Sequence, residues 1–136
     1  MRGRRLRFAK EEEQLFRYVV LIALMIILSY TLVVFLLGTK HFLITIESNS
    51  MEPTFYRGDV VIVKKENNYQ QGDIIAFLVD SEIYVHRIVA AGEQYRTKGD
   101  RNVAPDLFLV ERQNILGKVV FIVPKLGYIN LWLAGK

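Results

Sequence analysis

YVVLIALMIILSYTLVVFLL, residues 18–37, carries no charged side chain and divides the chain in two. As a helix, a run of about 20 residues measures about 30 Å, the thickness of a bilayer's hydrocarbon core. Ser29 and Thr31 interrupt the run without breaking it, because a hydroxyl can return a hydrogen bond to the helix's own carbonyls. A cleaved leader would have a shorter apolar stretch and an A-x-A site after it, and neither is present. A buried soluble helix would keep a polar face, and this run is apolar on every side. A permanent anchor is the expectation. Arg2, Arg4, Arg5, Arg7, Lys10 and Arg17 precede the run, and Lys40 alone lies close after it. Positive charge stays on the cytoplasmic side, and Glu11, Glu12 and Glu13 count for little in that rule. The expected organisation is a cytoplasmic basic tail over 1–17, an anchor over 18–37 and an extracytoplasmic domain over 38–136.

Beyond the anchor about 95 residues remain, enough for one small independent core. The chain has no cysteine, which excludes disulfides and thiolate metal sites. Its net charge of +4 owes much to the basic tail, so it does not describe a nucleic-acid surface. Short β-branched runs alternate with turn signals at 42–47, 59–64, 73–79, 83–90, 94–98 and 116–123. That spacing predicts a mainly β fold, a small antiparallel domain with no amphipathic helix. The final stretch, Leu126-Gly127-Tyr128-Ile129-Asn130-Leu131-Trp132-Leu133-Ala134, is apolar and aromatic but too short to span a bilayer. A core strand and a membrane-surface contact both fit it.

Just past the anchor stands Ser48-Asn49-Ser50-Met51-Glu52-Pro53-Thr54. A serine hydroxyl is a weak nucleophile until a base takes its proton. Ser50 is the candidate, because Ser48 at i−2 would share its face on an extended strand. The Ser48 hydroxyl and the Ser50 N–H would then form an oxyanion hole. Pro53 fixes its own φ and stiffens the turn after the nucleophile. Only two histidines can serve as base. His41 sits at the anchor's end, where an interfacial role is the simpler account. His86 lies in the alternating run Tyr84-Val85-His86-Arg87-Ile88-Val89, which fits a half-buried strand residue or a base. Asp100 and Asp106 are the acids near enough in sequence to orient it, while Asp59 and Asp73 each follow a glycine and read as turn caps. Two distant histidines and no cysteine imply neither a metal nor another cofactor.

Taken together these segments resemble the type I signal peptidases, membrane serine proteases that remove signal peptides from exported proteins. Ser48 to Thr54 resembles the family's nucleophile box. Arg57-Gly58-Asp59 and Gly72-Asp73-Ile74-Ile75-Ala76-Phe77 resemble the segments after it, Val85-His86-Arg87 the base box, and Thr97-Lys98-Gly99-Asp100-Arg101-Asn102 the next. Residues 117–124 and Gly127 resemble the closing strand. Most bacterial members place a lysine where His86 stands. Histidine there resembles the endoplasmic-reticulum, archaeal and some spore-former enzymes.

The resemblance implies a β catalytic domain with an apolar surface resting on the membrane, and a substrate lying extended beside the strands that flank the nucleophile. It implies Ser50 as nucleophile, His86 as base, Asp106 as the acid of the catalytic group and Asp100 as a second acid. Pro105 stands where the family commonly has another acid. Ile46, Met51 and Phe55 would line the pocket for the small residue before the cut, and Ile74 and Ile75 would pair with substrate or floor that pocket. The expected activity is signal-peptide removal on the outer face of a cell or endoplasmic-reticulum membrane, with accessory subunits left open. The rivals are a Ser–Lys or self-cleaving protease, with Lys98 as the nearest lysine, and an inactive membrane-tethered β module.

Overall fold

The computed structural model describes residues 2–135, with side chains from residue 12 onward. The side chains of Arg2, Arg4, Arg5, Arg7 and Lys10 therefore lie outside the described ones. The chain forms two compact units, one ending at Leu36 and the other starting at Leu37.

The first unit is one helix, α1, Arg2–Leu37. It continues well past the apolar run on its N-terminal side, because Arg, Lys, Glu, Gln and Leu there are all good helix formers. Glu12–Leu37 is long and apolar enough to cross a bilayer, with a mean hydropathy of 2.9. Within it Ser29 donates to the Ile26 carbonyl at 2.8 Å and Thr31 to that of Leu28 at 2.9 Å, so neither hydroxyl is left unpaired.

The second unit is an antiparallel sheet of six strands: β1 (Leu43–Thr45), β2 (Val60–Lys64), β3 (Ile74–Val79), β4 (Glu82–Ala91), β5 (Tyr95–Lys98) and β6 (Ile115–Val123), in the order β1-β2-β6-β3-β4-β5. Each matches one of the six β-branched runs to within a few residues at its ends. Strand alternation sends side chains to two faces, and each face has a core. Ile46, Met51, Phe55, Val61, Val63, Ala76 and Val85 fill one. Tyr69, Ile75, Phe77, Ile88, Tyr95, Val110 and Ile115 fill the other. Asp59 and Asp73 act at turns. Asp59 accepts from the Tyr56 and Lys125 amides at 2.8 and 2.9 Å. Asp73 accepts from the Gln70 amide at 2.9 Å and pairs with Lys118 at 2.6 Å. Burial pushes the Asp73 carboxyl up, but the Lys118 and Gln70 bonds outweigh it and hold it below its ordinary value.

The C-terminal stretch is not a strand. It forms a short helix, α2, Tyr128–Leu133, which buries Leu131 and leaves Ile129, Trp132 and Leu133 open. Gly127 lets it dock, since a Cβ there would stand 2.5 Å from the Thr45 methyl. The register Leu43↔Ile62↔Phe121 puts two exposed apolar side chains, Leu43 and Phe121, on one face of the sheet.

β3 and β4 join through Asp80 and Ser81, which have φ of 48° and 69°. A two-residue hairpin turn with both φ positive favours Asn-Gly, and a side chain in that region costs energy. Ser81→Gly should raise stability by about 0.5–1 kcal/mol. A chemical denaturation curve of the full chain in detergent would show it, and a lower midpoint would refute the assignment of strain to this turn.

Candidate active site

Ser50 lies in a tight turn rather than on a strand. β1 ends at Thr45, and the bonds Glu52 N–H to Asn49 carbonyl and Thr54 N–H to Met51 carbonyl, 3.2 and 2.9 Å, fold the chain after it. The Glu52–Pro53 peptide is cis. Met51 and Phe55, both 1% exposed, pin the turn to the core. The Ser48 and Ser50 hydroxyls still meet, at 3.1 Å. The turn brings them together, not the strand alternation that the sequence suggested.

His86 stands in the middle of β4, its ring against Phe77 and Tyr84 at centroid separations of 6.3 and 6.1 Å. β5 pairs with β4 only from Arg87 onward, so the edge of β4 is open at His86. Ser50 reaches the ring there, with 3.1 Å from its Oγ to Nε2. On the other side Nδ1 meets Asp106 Oδ2 at 2.7 Å, with both side chains under a tenth exposed. Asp106 is held from two directions. Its N–H donates to the Thr97 carbonyl at 2.9 Å, and the wholly buried Thr97 hydroxyl donates to the same carboxylate oxygen at 2.7 Å. A carboxylate cannot donate, so Nδ1 carries the proton and Nε2 is left to accept from Ser50. Such a chain of hydroxyl, imidazole and carboxylate has the geometry that acyl transfer needs. Among the described residues none accepts a bond from the Ser50 N–H, which together with the Ser48 hydroxyl can face a developing oxyanion.

Asp100 does not bond to His86. Its carboxylate takes a forked pair from Arg87, Nε to Oδ1 at 2.8 Å and a terminal nitrogen to Oδ2 at 2.7 Å, and accepts from Thr54 at 2.5 Å. The Arg87 bond holds the Asp100 carboxyl below its ordinary value, against burial and with help from Thr54. A depressed carboxyl stabilises the fold fully above its ordinary pKa near 4, and that contribution is lost as pH falls through the lowered value. The difference in melting temperature between wild type and Asp100→Asn should therefore be constant above about pH 5 and shrink below about pH 4. A gap that closed on raising the pH would contradict this sign.

A groove of about 570 Å³ leads away from Ser50, with residues 43–48 as one wall and residues 81–86 as the other. Ile46, Met51 and Phe55 line it, and His41 lies in its lining without a bond to Ser50. Ile74 and Ile75 do not line it. Ile75 is fully buried in the opposite core, and β3 is paired on both sides, by β4 and β6, so it cannot take up a further strand. The open edges belong instead to β1 and to the first half of β4. Lys98 lies opposite Arg87 in the β4–β5 register, and His86 already occupies the Ser50 hydroxyl.

Sequence reasoning passed over four contributors: Arg87, Thr54, Thr97 and Gly99. Arg87 gave no signal of its role because its partners, Gly72, Thr54 and Asp100, lie in other segments. Gly99 is required by contact, since a Cβ there would stand 2.6 Å from the Ser50 carbonyl oxygen.

The family model Peptidase S24-like matches residues 18–120. The chain is 36% identical to the signal peptidase complex catalytic subunit of Verticillium alfalfae, over 68% of this chain and 63% of that protein. It is 32% identical to the subunit of the same name in Lachancea thermotolerans, over 68% of this chain and 66% of that one. For the Saccharomyces cerevisiae protein (strain YJM789) the figures are 32%, 68% and 65%. The chain thus spans just under two thirds of the length of these curated relatives.

Proposed function

The chain belongs to the Peptidase S24-like family, and from that premise we propose that it is a membrane-bound serine endopeptidase that removes signal peptides from exported preproteins. The observation that carries this is the relay Ser50–His86–Asp106, at 3.1 and 2.7 Å, at the head of a groove with two unpaired strand edges. An extended peptide laid in the groove finds main-chain partners on both walls. Its scissile carbonyl then lies beside Ser50. Ile46, Met51 and Phe55 close the end of the groove there and favour a small side chain before the cut.

Ser50 Oγ attacks the carbonyl carbon while Nε2 of His86 takes its proton. The negative charge moves to the carbonyl oxygen, met by the Ser50 N–H and the Ser48 hydroxyl. Asp106 stabilises the imidazolium, which then gives its proton to the leaving amine. Water attacks the acyl-enzyme by the same route in reverse, with His86 as base.

In this proposal residues 1–17 lie in the cytoplasm, 18–37 span the membrane and 38–136 stand outside or in the lumen, as the basic residues before Tyr18 require. The exposed Leu43, Phe121, Ile129 and Trp132 side chains suit the bilayer surface, where aromatic residues gather. The relatives are named as catalytic subunits of a complex, and partner subunits are part of the same proposal.

Sealed vesicles test both activity and orientation. A model preprotein added outside right-side-out vesicles should be cut after a small residue, and the same preprotein outside inverted vesicles should survive. Cleavage by inverted vesicles alone would overturn the topology and with it the substrate class.

A further inference from the structure

Ser50 and His86 belong to segments that share no strand pairing. Ser50 stands in the turn after β1, and His86 is on β4, whose partners are β3 and β5. Something else must set the 3.1 Å between Oγ and Nε2. A second group of polar side chains lies beside the catalytic one and touches neither of those atoms.

Arg87 follows His86, so strand alternation sends it to the opposite face of β4. Its guanidinium forks onto Asp100 at 2.8 and 2.7 Å and donates to the Gly72 carbonyl at 2.9 Å. Asp100 in turn accepts from the Thr54 hydroxyl at 2.5 Å, and its N–H points to the Met51 sulfur at 3.4 Å. Next along the chain, the Arg101 N–H donates to the Ser50 carbonyl at 2.9 Å, and its guanidinium pairs with Glu52 at 2.6 Å. The turn around Asp100 is therefore stitched to the nucleophile turn at Ser50, Met51, Glu52 and Thr54. Arg87 ties that stitched pair to the strand carrying His86.

We propose that Arg87, Asp100 and Thr54 form a positioning clasp that sets the distance from the Ser50 hydroxyl to His86, with Asp100 acting through Arg87 and Thr54 rather than on the imidazole. The clasp rests on the protease function proposed above. A planar fork resists rotation in a way that a single point charge does not, which is why arginine suits the place and lysine would not. Opening the clasp lets the nucleophile turn drift, and a misplacement of about 1 Å costs on the order of 10²-fold in rate. Substrate still binds, because the groove walls are separate from the clasp. His86 keeps its bond to Asp106.

The test compares Arg87→Gln, Arg87→Lys, Asp100→Asn and Thr54→Val in the full chain, with Ser50→Ala as reference. Preprotein cleavage gives kcat, KM and the pH profile, and proton NMR follows the His86 Nδ1–H. The first three variants should lose about 10²-fold in kcat with KM within about threefold, and the charge-conserving lysine should not rescue. Thr54→Val removes the bond to Asp100 and the long one, 3.5 Å, from Arg87, but leaves the Arg87–Asp100 fork, so it should fold and lose about tenfold or less. In Thr54→Val, which removes no charge, the midpoint of the pH profile and the His86 resonance should stay where they are in wild type. Unchanged kcat in Arg87→Gln and Thr54→Val would overturn the clasp, as would full recovery by Arg87→Lys. Loss of the His86 Nδ1–H resonance in Asp100→Asn would mean that Asp100 itself holds the imidazole, which also overturns it. Active Ser50→Ala would instead remove the protease function itself, whatever the clasp variants do.

Discussion

Ser50→Ala should reduce preprotein cleavage by about 10⁶-fold in kcat while the protein stays folded. The loss follows from what the hydroxyl does: among the described residues it is the only group at the head of the groove bonded to a base with an acid behind it. The fold survives because the hydroxyl's bonds are to Ser48 and His86 alone, both at 3.1 Å. The contacts that hold the turn belong to Met51, Glu52, Thr54, Phe55 and the Ser50 main chain, and alanine at position 50 keeps them. Some acceleration over the uncatalysed reaction should remain, because the Ser48 hydroxyl and the amide at position 50 still face the substrate. His86→Ala should be as damaging, and the double variant no worse than either, since members of a proton-transfer unit do not add. Cleavage at the wild-type rate by folded Ser50→Ala, shown by circular dichroism of the same sample, would remove Ser50 from the mechanism.

How much of this was legible beforehand differs from element to element, for physical reasons. The six strands could be read because each is a short apolar or β-branched run bounded by turn residues, such as Asp80, Gly92, Gly99 and Pro124, and both signals are local. Helix α2 could not. Its six residues make less than two turns, too few for a 3.6-residue period to separate from a strand's alternation. The anchor was visible as composition, but α1 runs on through charged residues because helix propensity does not stop where hydropathy does. At the site, Ser50 and His86 were singled out through their neighbours in sequence, and the fold brings them to 3.1 Å. The family resemblance ranked Asp106 ahead of Asp100, but no hydropathy period separates them, because both lie in the polar connection after β5. What separates them is a main-chain bond, Asp106 N–H to the Thr97 carbonyl, that folds the connection back under His86. No sequence period announces such a bond. Ile74 and Ile75 were placed against the substrate by the family resemblance, not by any signal of their own. Which edge of a sheet is open depends on strand order, and β3 proves to be an interior strand.

The same bond makes Asp106→Asn the sharpest test of the acid. One carboxylate oxygen, Oδ2, receives both His86 Nδ1 at 2.7 Å and the Thr97 hydroxyl at 2.7 Å. Asparagine keeps the shape, but only one of its two terminal atoms can accept. If the amide nitrogen takes the Oδ2 place, it donates to Nδ1. The imidazole proton then moves to Nε2, and the ring can no longer take the Ser50 proton. If the amide oxygen takes that place, both bonds survive but the negative charge that stabilises the imidazolium is gone. The first outcome costs about 10⁴-fold in kcat, and the second costs less. Stability should hold in both, because the Thr97 hydroxyl keeps a partner. Asp106→Ala, by contrast, leaves that buried hydroxyl unpaired at about 1–3 kcal/mol. Asp100→Asn supplies the comparison, with a loss near 10²-fold and the His86–Asp106 bond intact, because the hydrogen bonds of Asp100 run to Arg87 and Thr54. Steady-state kinetics with thermal melts on the three variants separates the two acids. If Asp106→Asn retains more than about a tenth of wild-type kcat while Asp100→Asn is inactive and fully folded, the orienting role belongs to Asp100 and the hydrogen bond at Nδ1 is incidental to catalysis.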